Sequence, residues 1–422
     1  MLDIKFIREN KELVEMAAKK KKISFDVGAL LAVDDKRKTL LARIEEKRTE
    51  QNAANLEIVK AVGPEKTNIL ERMKFVKEDL SKSEEEFKEV MKEWHALMLQ
   101  VPNIPDVTVP DGESDADNQE IKKWGTLPKF DFTPKSHIDI MTTLDMLDLE
   151  RGTKVAGFRG YFLKNDGALL SFAIWQYAMK FFTGKGFTPM IVPSLVRKES
   201  LLGTGFLPQG EEDLYKTQDG DFLSGTAEVA TMGFHLDEML NKEELPKKYL
   251  SFSPCFRREA GSHSKDVKGL IRVHEFFKLE QVVLCEASHE ESVARHEELN
   301  RNTEEFIESL GIPYHTVVNC GGDLGLGQVK KYDIELWVPL ENTYREISSA
   351  SYFNDFQTRR LNIRYKDTDG KTKYAHSLNS TAIPTPRILV SLVENFQQAD
   401  GSIKIPEVLV PYMNGKHEIS RQ

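Results

Sequence analysis

Phe256-Arg257-Arg258-Glu259 is followed, after a polar loop, by Arg272-Val273-His274-Glu275-Phe276-Phe277-Lys278-Leu279-Glu280. Successive side chains of a strand point to opposite faces, and that period sorts these residues by chemistry. Arg257 and Glu259 share one face of the first strand, and Arg272, His274, Phe276, Lys278 and Glu280 share one face of the second. The opposite face carries Ile271, Val273, Phe277 and Leu279, which suit a core, with Glu275 as the exception. A sheet face of arginines, glutamates and an aromatic ring is costly unless something fills it. A nucleotide fills it well: arginines meet phosphates, Phe276 stacks on a base, and carboxylates accept from amino groups. The plain alternative is a solvated pair of strands joined by cross-strand ion pairs.

Working outward, Thr226-Ala227-Glu228 reads as a helix start, with the threonine capping and the glutamate in the first turn. Glu346-Ile347-Ser348-Ser349 lies in a strand context, and strand signals dominate residues 249–286 and 332–353. Further on, Thr385-Pro386-Arg387 opens an amphipathic helix over about 385–398, Pro386 suiting its first position. A cation in the first helical turn opposes the dipole, so Arg387 calls for an anion. Residues 167–183 form a mostly apolar helix closed by Gly184 and Gly186. Phe187-Thr188-Pro189-Met190-Ile191-Val192-Pro193 then reads as a strand ending in proline. An antiparallel sheet flanked by helices, an α+β body, accounts for this order.

Residues 30–100 have another texture. Leu30, Val33, Leu40, Ile44, Ile58 and Ala61 rise in steps of three and four, with Arg37, Lys47, Gln51 and Ala54 at intervening seam positions. Ile69, Met73, Val76, Leu80, Ser83, Phe87, Val90, Trp94 and Leu97 keep the rhythm on the way back. Val62-Gly63-Pro64 between them signals a turn and a fresh helix start. The pattern predicts an antiparallel coiled-coil hairpin. Helices of about 30 residues would project roughly 45 Å at 1.5 Å per residue. Residues 2–18 form another amphipathic helix, and residues 101–117 turn rich in Pro, Gly and Asp, a linker composition.

Composition bounds the answer without naming a function. The 422 residues suffice for two or three domains, and no run approaches a membrane span. Lys19, Lys20, Lys21 and Lys22 follow an amphipathic stretch, unlike a secretory leader. Cys255, Cys285 and Cys320 are too few and scattered for a disulfide scaffold or zinc site, so a reduced, cytoplasmic protein is expected. A formal net charge of −9 argues against indiscriminate nucleic-acid binding while leaving room for a local basic surface. Neither a Walker-type phosphate loop nor a Gly-x-Ser-x-Gly elbow is present.

The segment from Phe256 to Glu280 resembles motif 2 of class II aminoacyl-tRNA synthetases, in the form found in the seryl-tRNA synthetase family. Thr226-Ala227-Glu228, the run at 379–397 and the opening Met1-Leu2-Asp3-Ile4-Lys5-Phe6-Ile7-Arg8-Glu9-Asn10 agree, so the resemblance spans essentially the whole chain. The helix–strand–proline order at 167–193 is similar to motif 1, which implies a homodimer. Thr385 and Pro386 depart from the small, glycine-rich form of motif 3.

The resemblance implies a tRNA-binding domain over 1–103, a linker over 104–134 and a class II catalytic domain over 135–422. It implies activation of L-serine by ATP to seryl-adenylate, then transfer to tRNA(Ser), with tRNA(Sec) as a further substrate. Arg257 and Arg387 would be the catalytic pair, on the α- and γ-phosphates. Glu259 and Phe276 would hold adenine, Arg272 the outer phosphates, and Val273 belongs to the same ATP set. Glu346 and Ser349 would ligate Mg2+, while Thr226, Glu228, Arg257, Glu280 and Thr381 would bind serine. Lys278 and His274 fall outside the catalytic set. The loop at 261–269 would be the mobile motif 2 loop, and a plain flexible hairpin tip explains its individual lysines nearly as well. An arm of this length suits recognition of an RNA helix by shape and backbone. Two alternatives stay open at this point: a ligase charging a carrier protein, and a non-catalytic coiled-coil binding protein.

Overall fold

A computed structural model describes residues 1–261 and 266–421 and divides the chain into two compact units. The first comprises Met1–Lys19 and Ile23–Pro102, and the second Lys20–Lys22 and Asn103–Gln422.

The first unit is helical. The expected helix over 2–18 is two helices, α1 (Ile4–Glu9) and α2 (Lys11–Lys20), because Asn10 leaves helical geometry at φ −127°. Asp3 caps α1 by accepting from the Lys5 N–H. α3 (Val27–Lys60) and α4 (Pro64–Met98) run 34 and 35 residues and form the hairpin. Gly63 turns between them at φ 61°, and Pro64 occupies the first helical position. The descending seam is as expected, with Ile69, Val76, Leu80, Ser83 and Val90 buried. The ascending seam differs at one step: Asp34, rather than Val33, is the fully buried residue.

The second unit is built on one eight-stranded sheet. Its strands are β1 (Gln119–Trp124), β2 (Thr188–Ile191), β3 (Lys247–Phe256), β4 (Glu275–Cys285), β5 (Tyr314–Val318), β6 (Lys330–Val338), β7 (Thr343–Tyr352) and β8 (His376–Thr385). Their spatial order is β1-β5-β6-β7-β8-β4-β3-β2, antiparallel throughout except for β2 against β3. The stretch expected as a linker at 104–134 therefore supplies an edge strand, β1, paired with β5.

Three helices cover one side of the sheet's core: α5 (Asp166–Thr183), α7 (His289–Leu310) and α8 (Arg387–Asn395). Leu170, Ile174, Phe182, Phe306, Ile307 and Leu389 pack with Leu279, Val283, Ile334 and Leu378 of the strands in one apolar cluster. Burial on this scale, at about 25 cal/mol per Å2 of apolar surface, holds the helices against the sheet that carries the site. A short helix, α6 (Ala227–Gly233), begins beside the sheet with Thr226 as its cap.

Candidate active site

Short residues make room for long ones. β3 pairs with β4 so that Phe276 stands opposite Cys255, Lys278 opposite Ser253 and Glu280 opposite Ser251. All three β3 partners are buried, and their small side chains leave a groove along the long side chains of β4.

The strand geometry ends sooner than the alternation predicts. β3 stops at Phe256 and β4 starts at Glu275, so period two applies to Phe276, Lys278 and Glu280 but not to Arg272 or His274. Arg257 keeps one ladder contact, its N–H donating to the His274 carbonyl at 3.0 Å. Glu259 then takes a left-handed φ of 54°, and the turn sets its direction. It meets Arg272 in an ion pair at 2.5 Å. Val273, expected on the core face, lines the same recess of about 60 Å3 as Glu259, Phe276 and Arg387. His274, expected on the ligand face, turns to the reverse side and lines an apolar cavity of about 570 Å3 with Phe158, Phe172, Trp175 and Tyr215. Phe277 also lies on the reverse side, parallel to Phe252 at 6.1 Å between ring centroids, away from the adenine platform.

Within the groove the Arg257 guanidinium sits 5.3 Å from the centroid of Phe276, a cation–π contact on the ring expected to carry a base. Arg387 is the first residue of α8, with Pro386 as its cap rather than its first position. Its Nε donates to the Ile271 carbonyl at 2.9 Å and its Nη1 to the Glu346 carbonyl at 3.0 Å. Burial lowers the Arg387 pKa from its ordinary value, with the Glu346 charge opposing that shift. Arg387, Arg272, Arg345 and Lys331 face Asp333 and Glu335 across a wider opening of about 650 Å3.

Beside the groove lies a polar pocket of about 400 Å3 holding Thr226, Glu228, Lys278, Glu280 and Thr381. Both readings of Thr226 hold together: its Oγ1 accepts from the Glu228 N–H at 3.2 Å and donates to Glu280 at 3.2 Å. Glu280 forms an ion pair with Lys278, whose Nζ donates to Thr381 Oγ1 at 3.4 Å. Gln357 donates to Glu228 at 2.6 Å. Burial and the neighbouring Glu280 charge push the Glu228 carboxyl up to about 7.

Two β-bulges set which residues share this pocket. In the β4–β8 ladder, Leu279 pairs with Ile383 and Glu280 with Thr381, so Ala382 is the extra residue. In the β6–β7 ladder, Ile334 pairs with Ser348 and Glu335 with Glu346, so Ile347 is extra. An extra residue restores the facing of side chains that simple alternation would separate. Thr381 thereby joins the face of Glu280, and Glu346 joins the face of Ser349.

All twelve expected site residues line one of these three adjoining spaces, and Glu346 borders every one. Sequence reasoning missed Lys278, Asn379 and Asp333. Lys278 carried a usable signal, two residues before Glu280 on the same strand face. Asn379 and Asp333 carried none, because their placement depends on the register of β8 and β6. Four residues of the loop, 262–265, lie outside the described residues, so the motif 2 loop assignment is not described beyond Asp266, which pairs with Arg345.

A sheet of this topology with an arginine-lined groove and a neighbouring carboxylate pocket defines a class II aminoacyl-tRNA synthetase core. The family described as tRNA synthetase class II core domain (G, H, P, S and T) matches residues 215–396. The chain belongs to the seryl-tRNA synthetase family, whose N-terminal domain matches residues 1–105. It is 44% identical over 423 residues to the serine–tRNA ligase of Deinococcus radiodurans, covering 100% of this chain and 99% of that one. The seryl-tRNA synthetase of Pyrococcus horikoshii in complex with ATP superposes with a TM-score of 0.91 at 38% identity, covering 100% of both chains. The cytoplasmic serine–tRNA ligase of Naegleria fowleri in complex with AMP gives 0.87 at 32% identity, covering 100% of this chain and 99% of that chain. These relatives support neither a carrier-charging ligase nor a non-catalytic rod.

Proposed function

We propose that this chain, a serine–tRNA ligase, works through the groove and pocket just described. The pocket of Glu228, Glu280, Lys278 and Thr381 beside Arg257 carries the reading. Its carboxylates suit the ammonium and hydroxyl of L-serine, and Arg257, which lines both the groove and the pocket, would meet the serine carboxylate and the α-phosphate of ATP. A serine carboxylate oxygen attacks the α-phosphorus, the bond to the bridging oxygen breaks, and pyrophosphate leaves. A terminal ribose hydroxyl of tRNA then attacks the carbonyl of seryl-adenylate, and AMP departs. Such chemistry needs alignment and charge stabilisation rather than a protein nucleophile.

Glu259 and Val273 would bound adenine on Phe276, while Arg272 and Arg387 would hold the outer phosphates. The Arg257–Phe276 and Arg272–Glu259 contacts would be exchanged for contacts with ATP. Glu346 and Ser349 would hold magnesium, which would neutralise charge on the α- and β-phosphates when bound. Their shared face fits this role, as does Asp333, whose buried Oδ1 finds no hydrogen-bond partner by distance and angle among the described residues and which pairs across the ladder with Ser349. Thr226 and Thr381 would complete the serine contacts, and a site built to bond a hydroxyl penalises alanine.

The arm would carry tRNA(Ser) and, in an organism that has it, tRNA(Sec). A homodimer is supported by exposed apolar residues around the reverse-side cavity, including Phe158, Phe162 and Phe172, and by exposed Ile191 on the edge strand β2. Cytoplasmic residence is supported by three free, buried cysteines. The test is pyrophosphate exchange with ATP, run in parallel with serine, threonine, alanine, cysteine and glycine. Exchange dependent on serine is expected, and none with any of them from folded protein with magnesium would overturn the site.

A further inference from the structure

Lys21 carries an amino group shut away from water, with no carboxylate paired to it among the described residues. The residue is 3% exposed, and burial holds its pKa well below the ordinary lysine value. Its Nζ donates to three backbone carbonyls: Gly325 at 3.1 Å, Leu326 at 2.9 Å and Gln328 at 2.5 Å. Three donors on a lysine match three acceptors, so the group is satisfied despite its burial. Although Lys20 ends α2 and Lys21 and Lys22 follow it in the chain, all three cluster with the second unit. Lys20 and Lys22 reinforce the placement, on the Val109 carbonyl and on Glu113.

The three carbonyls belong to the segment 325–328, which forms one wall of the pocket holding Glu228 and Glu280. That segment has no regular secondary structure and two glycines. Asn103 supports it from its own side chain to the Gly327 carbonyl at 2.9 Å and from its N–H to the Leu326 carbonyl at 2.9 Å. Gln328 links it to Ser351 at 2.8 Å. A loop with two glycines holds one path only when its carbonyls are claimed, and Lys21 claims most of them.

We propose that Lys21 is a positioning residue for the amino-acid pocket, fixing the wall at 325–328 so that the pocket keeps the size of serine. This rests on the pocket being the serine site. Residue 21 thereby sets a dimension of that pocket through one buried lysine side chain.

The test compares Lys21→Met and Lys21→Arg with the wild-type full-length enzyme in serine-dependent pyrophosphate exchange. Wild-type exchange with serine first establishes the pocket's substrate. K21M should then raise KM for serine by about tenfold or more while changing KM for ATP by less than about twofold. K21R, which keeps charge and several donors, should recover most of that loss. Hydrogen exchange at 325–328 should quicken in K21M and slow again when serine is added. If K21M does not yield folded protein, Lys21→Gln takes its place with the same expected split. Unchanged KM for serine, or equal loss for serine and ATP without rescue by arginine, would overturn the proposal while leaving the wild-type result intact.

Discussion

Glu346 and Ser349 stand three residues apart on one strand yet line the same cavity. Alternation would put them on opposite faces. The extra residue Ile347, which finds no partner in the β6–β7 ladder, turns Glu346 back toward Ser349. Because Glu346 also borders the groove and the wider opening, its loss is felt in all three spaces. Glu346→Gln should therefore lower pyrophosphate exchange by about a hundredfold or more and raise the magnesium concentration needed for half-maximal rate. Chelation of magnesium in the wild type should stop exchange. A variant with wild-type rate and magnesium dependence would remove Glu346 from the metal site.

Arg387 is held by two backbone carbonyls, and no carboxylate among the described residues is bonded to it. Its charge is thus left for an anion. Arg387→Ala should cut adenylate formation by about two to three orders of magnitude, measured by exchange. Sedimentation of the same variant should match the wild type, since the side chain does not border the reverse-side cavity.

Much of this was legible in advance. The hairpin arm followed from its heptads, and the groove from the arginines and carboxylates around Phe276. What failed was alternation applied where no strand exists: Glu259 sits in a left-handed turn, and His274 faces the other way. Bulges at Ile347 and Ala382 depend on pairing with a partner strand, which no local pattern encodes. β8 was hidden for a related reason. His-Ser-Leu-Asn-Ser-Thr-Ala-Ile-Pro-Thr has no apolar period and contains a proline, yet it is one of the two middle strands of the sheet and is almost wholly buried.

Glu228, proposed to meet the serine ammonium, should make serine binding depend on pH. Its folded carboxyl titrates at about 7, above the ordinary 4.5, so near neutrality part of the free enzyme carries it protonated. The serine ammonium favours the ionised form. KM for serine should therefore fall as pH rises through about 7, and Glu228→Gln should flatten that dependence while weakening binding. The stability of the free enzyme runs the other way. A raised acid pKa contributes stability in full below the unfolded value and loses it as pH climbs through the folded one. Melting profiles between pH 4 and 8 of wild type and E228Q check the sign.

Asp34 occupies the arm's seam where an apolar residue was expected. It accepts from Arg8 at 2.7 Å, Arg37 at 2.8 Å, Lys38 at 3.1 Å and the Trp94 indole at 3.1 Å. Burial alone would raise its pKa, but bonds from Arg8, Arg37 and Lys38 outweigh burial and hold it at about 2. Its contribution is present above the unfolded carboxylate value and is lost as pH falls toward 2. Asp34→Ala leaves these donors without their acceptor and should destabilise the helical unit by about 2 kcal/mol. Asp34→Leu restores apolar packing and tests whether the polar group fixes register: it should keep helicity yet loosen the pairing of α3 with α4, read by hydrogen exchange along both helices.

The arm closes on itself. Its buried residues, from Leu40 and Ile44 on α3 to Val76 and Leu80 on α4, pack within the hairpin, while the groove and pocket draw every lining residue from the second unit. Removing residues 36–96 and joining the stumps with a short turn takes away no side chain of the activation site. Serine-dependent exchange should stay within about threefold of wild type, because the groups that line the groove and pocket are all positioned within the second unit. Transfer to tRNA should fall by orders of magnitude, since binding energy from a remote part of a substrate supports the reacting end. Exchange and charging measured on one preparation decide the matter. Loss of both steps together would mean that the hairpin supports the catalytic unit itself, and the division between an activating body and an RNA-reading arm would fail.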